Sequence, residues 1–345
     1  MRLVQFEHDG RRRLGIVDGE TVFDVTAARP EIQRVVDAFD AADRAGAGLE
    51  PFLQAVRSDH RLPGLAYGEL LENARPGGGP TMRPPVDHAD PHRVLVTGTG
   101  LTHLGSMKSR DQMHAEAASQ APVTDSRKMF ELGLAGGKPA AGSRGAAPEW
   151  FYKGSGAVLR GHGQTLAIPP FALDGGEEPE IVGCYIIDRQ GNPRRLGFAL
   201  GNEWSDHATE SINYLYLAPS KMRECSIGPE LITDHDFQSI ELRCTVRRRG
   251  EVIYDSGPLL SGEQNMCHAL ANCEDHHFKY PQHRQPGDVH IHYFGTSKLS
   301  HRERTWRYEQ GDEITVAAPG FSSPLVNVVT GRVDTADRPI RAEKA

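Results

Sequence analysis

Three acidic residues in the middle of the chain have the types and spacing to hold a cation. Glu178 and Glu180 form an E-x-E pair at the start of an apolar run, and residues two apart in a strand point to the same face. Glu203 follows a second apolar run, Leu196–Leu200, and meets the pair if the two strands are neighbours. Three converging carboxylates repel one another unless a cation neutralises them. A donor set made only of oxygen favours a hard divalent ion, Mg2+ first, with Mn2+ or Ca2+ as substitutes. An acidic pair at a strand edge is by itself more often a solvated surface, so the expectation depends on the elements that surround it.

Those elements belong to an ordinary globular chain. Its 345 residues are 38% hydrophobic and 25% charged, enough for one large and one small domain. A net charge of -7 argues against nonspecific nucleic-acid binding and against a polybasic membrane contact. No apolar run approaches the roughly 20 residues of a membrane span, and MRLVQFEHDGRRR carries no signal-peptide core. The five cysteines lack C-x-x-C spacing and read as reduced thiols of a cytoplasmic protein. The 37 glycines and 23 prolines suit a β-rich fold with many turns.

Residues 1–84 read as a small α/β domain. Short strands over Arg2–Glu7, Arg13–Val17 and Thr21–Val25 precede helices over Pro30–Ala45 and Leu49–Arg57. Arg75–Pro91 is a linker by composition. Arg93–Thr99 is a buried strand, and Gly133–Pro148 is either a loose excursion or a lid over substrate. Ile240–Arg247 and Glu251–Asp255 form a hairpin about Arg249-Gly250. Ser261–Cys273 reads as a helix.

Several separated segments together resemble the fumarylacetoacetate hydrolase family. They are GTGLTH at Gly98–His103, Trp150–Lys153 with the Gly/Ser loop after it, the E-x-E pair, LGNEWS at Leu200–Ser205, Ser220-Lys221, QPGDVHIHYFGT at Gln285–Thr296, and GDEIT with PLVNVV near the end. The resemblance spans about Pro85 to Val329, in family order. It implies an α+β protein: a mixed β-roll catalytic domain over 85–345 beside the small N-terminal domain, which resembles the accessory domain of the family's longer members. It implies one divalent cation, usually Mg2+, on Glu178, Glu180 and Glu203, with glutamate where the family usually has aspartate. The ligand is a 2-oxo acid whose ketone and carboxylate oxygens chelate the cation, and the assembly is a homodimer. Lys221 and Lys153 stand at the family's active-site lysines. Thr296 and Gly295, in the G-T pair, lie where the substrate carboxylate binds, and Ser155 sits in the loop after Lys153. His290 and His292 share a strand face and are candidates to line the pocket, with His292 the expected contact.

Two departures bear on the reaction. The family's hydrolases carry a His–Glu dyad that activates water for carbon–carbon cleavage, and here Ser106 and Ser109 fall at those positions, with His114 and Glu116 as substitutes if the alignment slips. His207 replaces an arginine that reaches the substrate tail in some members, which suits a polyhydroxylated substrate. Both point to the branch of 2-keto-3-deoxy sugar acid dehydratases. Such an enzyme removes a C3 proton beside a chelated ketone and expels the C4 hydroxyl, and a 2-keto-3-deoxypentonate would give 2,5-dioxopentanoate. The alternatives are a C–C hydrolase of 2,4-diketo acids, a decarboxylase/isomerase, and a binding module without activity.

Overall fold

The computed structural model describes residues 1–72, 79–105, 124–331 and 339–345. Strands β1 (Arg2–His8), β2 (Arg11–Asp18), β3 (Thr21–Asp24), β4 (Gly64–Ala66) and β5 (Thr81–Arg83) come from the N-terminal part. β6 (Val94–Gly100), β7 (Glu149–Ser155), β8 (Leu159–Arg160), β9 (Thr165–Ile168), β10 (Pro179–Ile187), β11 (Pro193–Asn202) and β12 (Cys225–Ile232) follow. β13 (Ile240–Arg248), β14 (Glu251–Asp255), β15 (Leu259–Ser261), β16 (Val289–Tyr293), β17 (Glu313–Ala317) and β18 (Leu325–Gly331) complete the set.

Two sheets organise these strands. The larger runs β4-β3-β2-β1-β12-β11-β10-β16-β6-β7, with β5 on β1 and β8 on β12. The smaller runs β14-β13-β17-β18-β9, with β15 on β13. The sheets are mixed, since β16 and β6 pair in parallel while β10 and β11 pair antiparallel. β1 pairs with β12, so the strands before residue 84 extend the same sheet that carries the later ones.

β10 sits between two cores. Val182, Cys184 and Ile186 join Leu3, Val35, Leu53 and Ile291 beneath the N-terminal helices. Ile181, Tyr185 and Ile187 join Leu242, Val316 and Leu325 of the smaller sheet. Burial on both faces explains its continuous apolar sequence, since a strand covered on both sides needs no polar alternation. Two helices start later than their sequence suggests. Asp37 accepts from the N–H of Gln33 and Arg34, so the helix expected from Pro30 begins at Val35 and runs to Arg44. Gly262, at φ 88°, turns the chain after β15, and Asn265 bonds back to Ser261 at 2.8 Å; the helix expected from Ser261 starts only at Leu270 and runs to Phe278. Among the described residues no helix is long and apolar enough to cross a membrane.

Candidate active site

Register on β10 and β11 builds the acidic cluster. Glu180 pairs with Gly201 and Pro179 with Asn202, and the Glu203 N–H donates to the Glu178 carbonyl at 2.9 Å just past the ladder. The third carboxylate is therefore carried directly beside the first. Glu178, Glu180 and Glu203 are all buried, and one oxygen from each lies within 4.8 Å of the others. Asp206, three residues on, is spent otherwise: it caps the helix His207–Ile212 and pairs with Arg223 at 3.1 Å.

Two ammonium groups, Lys221 and Lys153, face the three carboxyl groups. Lys221 Nζ bridges Glu178 Oε1 and Glu203 Oε2, the latter at 2.6 Å, and lies 4.7 Å from the Phe151 ring centre. Lys153 Nζ is fully buried and donates to Glu203 Oε1, to the Trp204 carbonyl at 2.8 Å and to the Lys221 carbonyl at 2.8 Å. All three N–H bonds of that ammonium are thereby used, which leaves Lys153 to orient Glu203 and the Lys221 backbone. His207 Nε2 lies 3.0 Å from Glu178 Oε1.

The electrostatics split the cluster. Burial drives Glu178 upward, but Lys221 and His207 outweigh it and hold that carboxyl well below the usual range. At Glu180, burial together with Glu203 and Glu178 outweighs Lys221 and the Gly295 N–H and pushes the carboxyl well above. Burial and Glu178 also raise Glu203. Lys221 is held protonated by Glu178 and Glu203 against the cost of its burial. The residues fit a hard divalent cation on a specific ground: Glu180 Oε2 accepts from the Gly295 N–H at 2.6 Å, while Glu180 Oε1 is buried with no hydrogen-bond partner. A buried carboxylate oxygen left without a donor is costly, and a cation supplies what the protein does not. Gly295, at φ 91°, brings that N–H close, and a Cβ there would meet Thr102 Oγ1 at 2.7 Å.

Most of these groups line a cavity of about 730 Å3 together with Thr296, Glu149, Glu210, Tyr214 and His301. Tyr214 donates to Glu149 at 2.7 Å. Gly100 stands opposite Glu149 in the β6–β7 ladder, and any side chain there would collide with the Glu149 carboxylate. Glu149, Tyr214, His301 and its partner Asp174 escaped the sequence reading because no local spacing marks them. The acid-rich run from Asp174 to Glu180 was the one available signal.

The expected site residues divide. Glu178, Glu180, Lys221, His207, Gly295 and Thr296 line the cavity, with Glu203 and Lys153 behind them. Ser155 does not line it; its hydroxyl accepts from the Ala157 N–H at the start of a 3-10 turn. Ser106 lies outside the described residues. His292 also stays out of the cavity, on the face of β16 opposite Ile291. Its Nδ1 lies 2.9 Å from Thr97 Oγ1, and it packs in a buried group with His277, His283 and His290. Burial drives His290 and His292 down to about 3, and burial plus the neighbouring imidazoles take His277 well below its ordinary value. These side chains are neutral in the fold and charge freely in the unfolded chain, so stability holds above about pH 6.5 and drains as pH falls toward 3. Each contributes about 1.4 kcal/mol of loss per pH unit in that window. Urea unfolding at pH 7, 6, 5 and 4 should show this slope, reduced by about one proton in His290→Gln; an unchanged slope would remove the cluster as its cause.

No protein-family model matches the chain. A probable 2-keto-3-deoxyxylonate dehydratase of Haloferax volcanii is 23% identical over 335 residues, covering 96% of this chain and 99% of that protein. The structure of a 2-keto-3-deoxy-D-arabinonate dehydratase complexed with magnesium and 2,5-dioxopentanoate matches with a TM-score of 0.66 at 18% identity, over 96% of this chain and 100% of that one. Fumarylacetoacetate hydrolase from Exiguobacterium antarcticum matches with a TM-score of 0.59 at 15% identity, over 96% and 100% of the two chains. The fold is that of the fumarylacetoacetate hydrolases. Within that fold the chain resembles the 2-keto-3-deoxy sugar acid dehydratases, by sequence and by structure.

Proposed function

We propose that this protein is a divalent-cation-dependent hydro-lyase that dehydrates a 2-keto-3-deoxy sugar acid, with Mg2+ as the cation and a 2-keto-3-deoxypentonate as the substrate. The observation that carries the reading is the buried triad of Glu178, Glu180 and Glu203, with the free Oε1 of Glu180, set in a cavity beside Lys221. Similarity to the Haloferax volcanii protein over nearly the whole chain supports the choice of reaction. The triad would hold the cation, which supplies Lewis-acid stabilisation to the ketone oxygen of a bound 2-oxo acid.

The chain's own groups do the rest. With Glu178 and Glu203 committed to a cation, Lys221 would lose the two carboxylates that keep it protonated and would serve as the base for the C3 proton. Lys153 keeps Glu203 in place throughout. Thr296 and Gly295 edge the cavity where the substrate carboxylate would sit. His207, Glu210 and Tyr214 offer polar contacts to a hydroxylated tail. Glu149, tied to Tyr214, is a further carboxyl group within reach of that tail.

With Mg2+ present, a 2-keto-3-deoxypentonate should be turned over to a 2,5-dioxo acid and water, and an acylpyruvate should not be cleaved. Coupled aldehyde detection and proton NMR distinguish the products. Turnover of the acylpyruvate alone would replace this reading with C–C hydrolysis.

A further inference from the structure

The acid-rich run that supplies the metal-site glutamates also carries acids that serve a second purpose. Asp174 Oδ2 lies 3.0 Å from His301 Nδ1 and also accepts from Arg304, which in turn donates to the Gly175 carbonyl at 2.8 Å and packs on the Trp306 and Tyr308 rings. Glu177 fixes the residue before the histidine: it accepts from the Ser300 N–H at 2.6 Å, the Ser300 hydroxyl at 2.7 Å and the Tyr308 hydroxyl at 2.6 Å. Asp174 and Glu177 thus pin the Ser300–His301 turn, while Glu178 and Glu180 build the triad. With Nδ1 held by a carboxylate, the ring's other nitrogen, Nε2, is the one available to a ligand. His301 lines the cavity, and its ring centre is 5.2 Å from that of His207, which touches Glu178. It stands one side chain away from the triad.

We propose that His301, oriented by Asp174, is the proton donor to the hydroxyl that leaves from C4 of the substrate. This assignment rests on the dehydratase reading above. C4 lies two bonds beyond the C2 ketone that faces the triad, so a group one side chain out from Glu178 addresses it. As Lys221 takes the C3 proton, the C3–H electron pair forms the C3=C4 bond, the C4–O bond breaks, and the His301 imidazolium gives its Nε2 proton to the departing oxygen, which leaves as water. The neutral imidazole then takes a proton from C5, Lys221 returns its proton to C3, and the resulting C4=C5 enol becomes the C5 aldehyde. Both side chains finish in their starting states. Asp174 is a positioning residue: it holds Nδ1 and so fixes the ring with Nε2 left for the substrate. The other charges about the ring are Arg304, Arg302 and His207.

Two measurements separate the steps. Pyruvate has no C4 hydroxyl, so exchange of its methyl protons with D2O, followed by NMR with Mg2+ present, reads enolisation without His301. Dehydration of a 2-keto-3-deoxypentonate reads the whole reaction. His301→Gln should exchange pyruvate at the wild-type rate while kcat for dehydration falls by about 100-fold or more, with KM little changed. Asp174→Asn should lower kcat for dehydration with KM and pyruvate exchange little changed, and Asp174→Glu should restore part of it. Dehydration by His301→Gln within a few-fold of wild type overturns the assignment, as does a rise in KM with kcat intact, which would make His301 a binding group only. Loss of exchange along with dehydration makes its role structural and also overturns it. A wild-type protein that neither exchanges pyruvate nor dehydrates the sugar acid overturns the dehydratase reading itself.

Discussion

Glu178→Ala should lose the cation and turnover together. Calorimetric titration with Mg2+ should show binding abolished at concentrations that saturate the wild type, and kcat/KM should fall by at least about 1000-fold, the scale expected when several kcal/mol of charge stabilisation disappear. Glu178 is the carboxylate that Lys221 and His207 keep ionised, so it is the ligand ready at neutral pH. Glu180 is the opposite case, raised by burial and by its two neighbours. A cation must displace its proton, since ligating carboxylates bind deprotonated. Mg2+ affinity should therefore weaken as pH falls, and binding should release protons that appear as a buffer-dependent heat. Wild-type affinity in Glu178→Ala, or heats independent of buffer, would show that the cation binds elsewhere. A ligand-binding module without activity would keep its ligand in this variant.

Lys153→Met should cost about 3–5 kcal/mol of stability without Mg2+, the range for breaking a buried ion pair by removing one partner. The ammonium has no exposure, and its three N–H bonds hold Glu203, Trp204 and Lys221. Methionine fills the space but leaves a buried carboxylate and two backbone carbonyls without those donors. Urea denaturation reads the loss. Because the variant leaves the triad more negative, Mg2+ should restore stability by mass action to a greater degree than in wild type. A loss below about 1 kcal/mol would mean that Glu203 finds another partner.

The sequence made part of this site legible because that part is local. Side chains two apart on a strand share a face whatever the rest of the chain does, so Glu178 and Glu180 were bound to converge. Glu203 follows from the same rule once β10 and β11 are neighbours, as two apolar runs joined by a short turn tend to be. The hairpin at Arg249-Gly250 and the short N-terminal strands were legible for similar reasons. The helix before β16 starts later than its sequence suggests because the turn at Gly262 is settled by a left-handed backbone and by the Asn265 side chain bonding to the Ser261 carbonyl. His292 shares a strand with the residues that lead to Gly295, and its spacing alone gave no reason to prefer one face of the sheet. Packing decided it: the face opposite Ile291 meets Phe278, Phe294 and three other imidazoles. Ser155 was displaced by the same kind of choice, a turn that uses its hydroxyl as a cap.

By itself the sequence determined that three oxygen donors with lysines nearby would favour a hard cation, because charge and strand period are properties of residues and their spacing. Only the tertiary structure decided what each lysine does and what faces the far side of the cavity. Lys153 and Glu203 are 50 residues apart, and Asp174 and His301 are 127. Contacts at such separations are fixed by which strands pair and which faces are buried, and no local spacing encodes them.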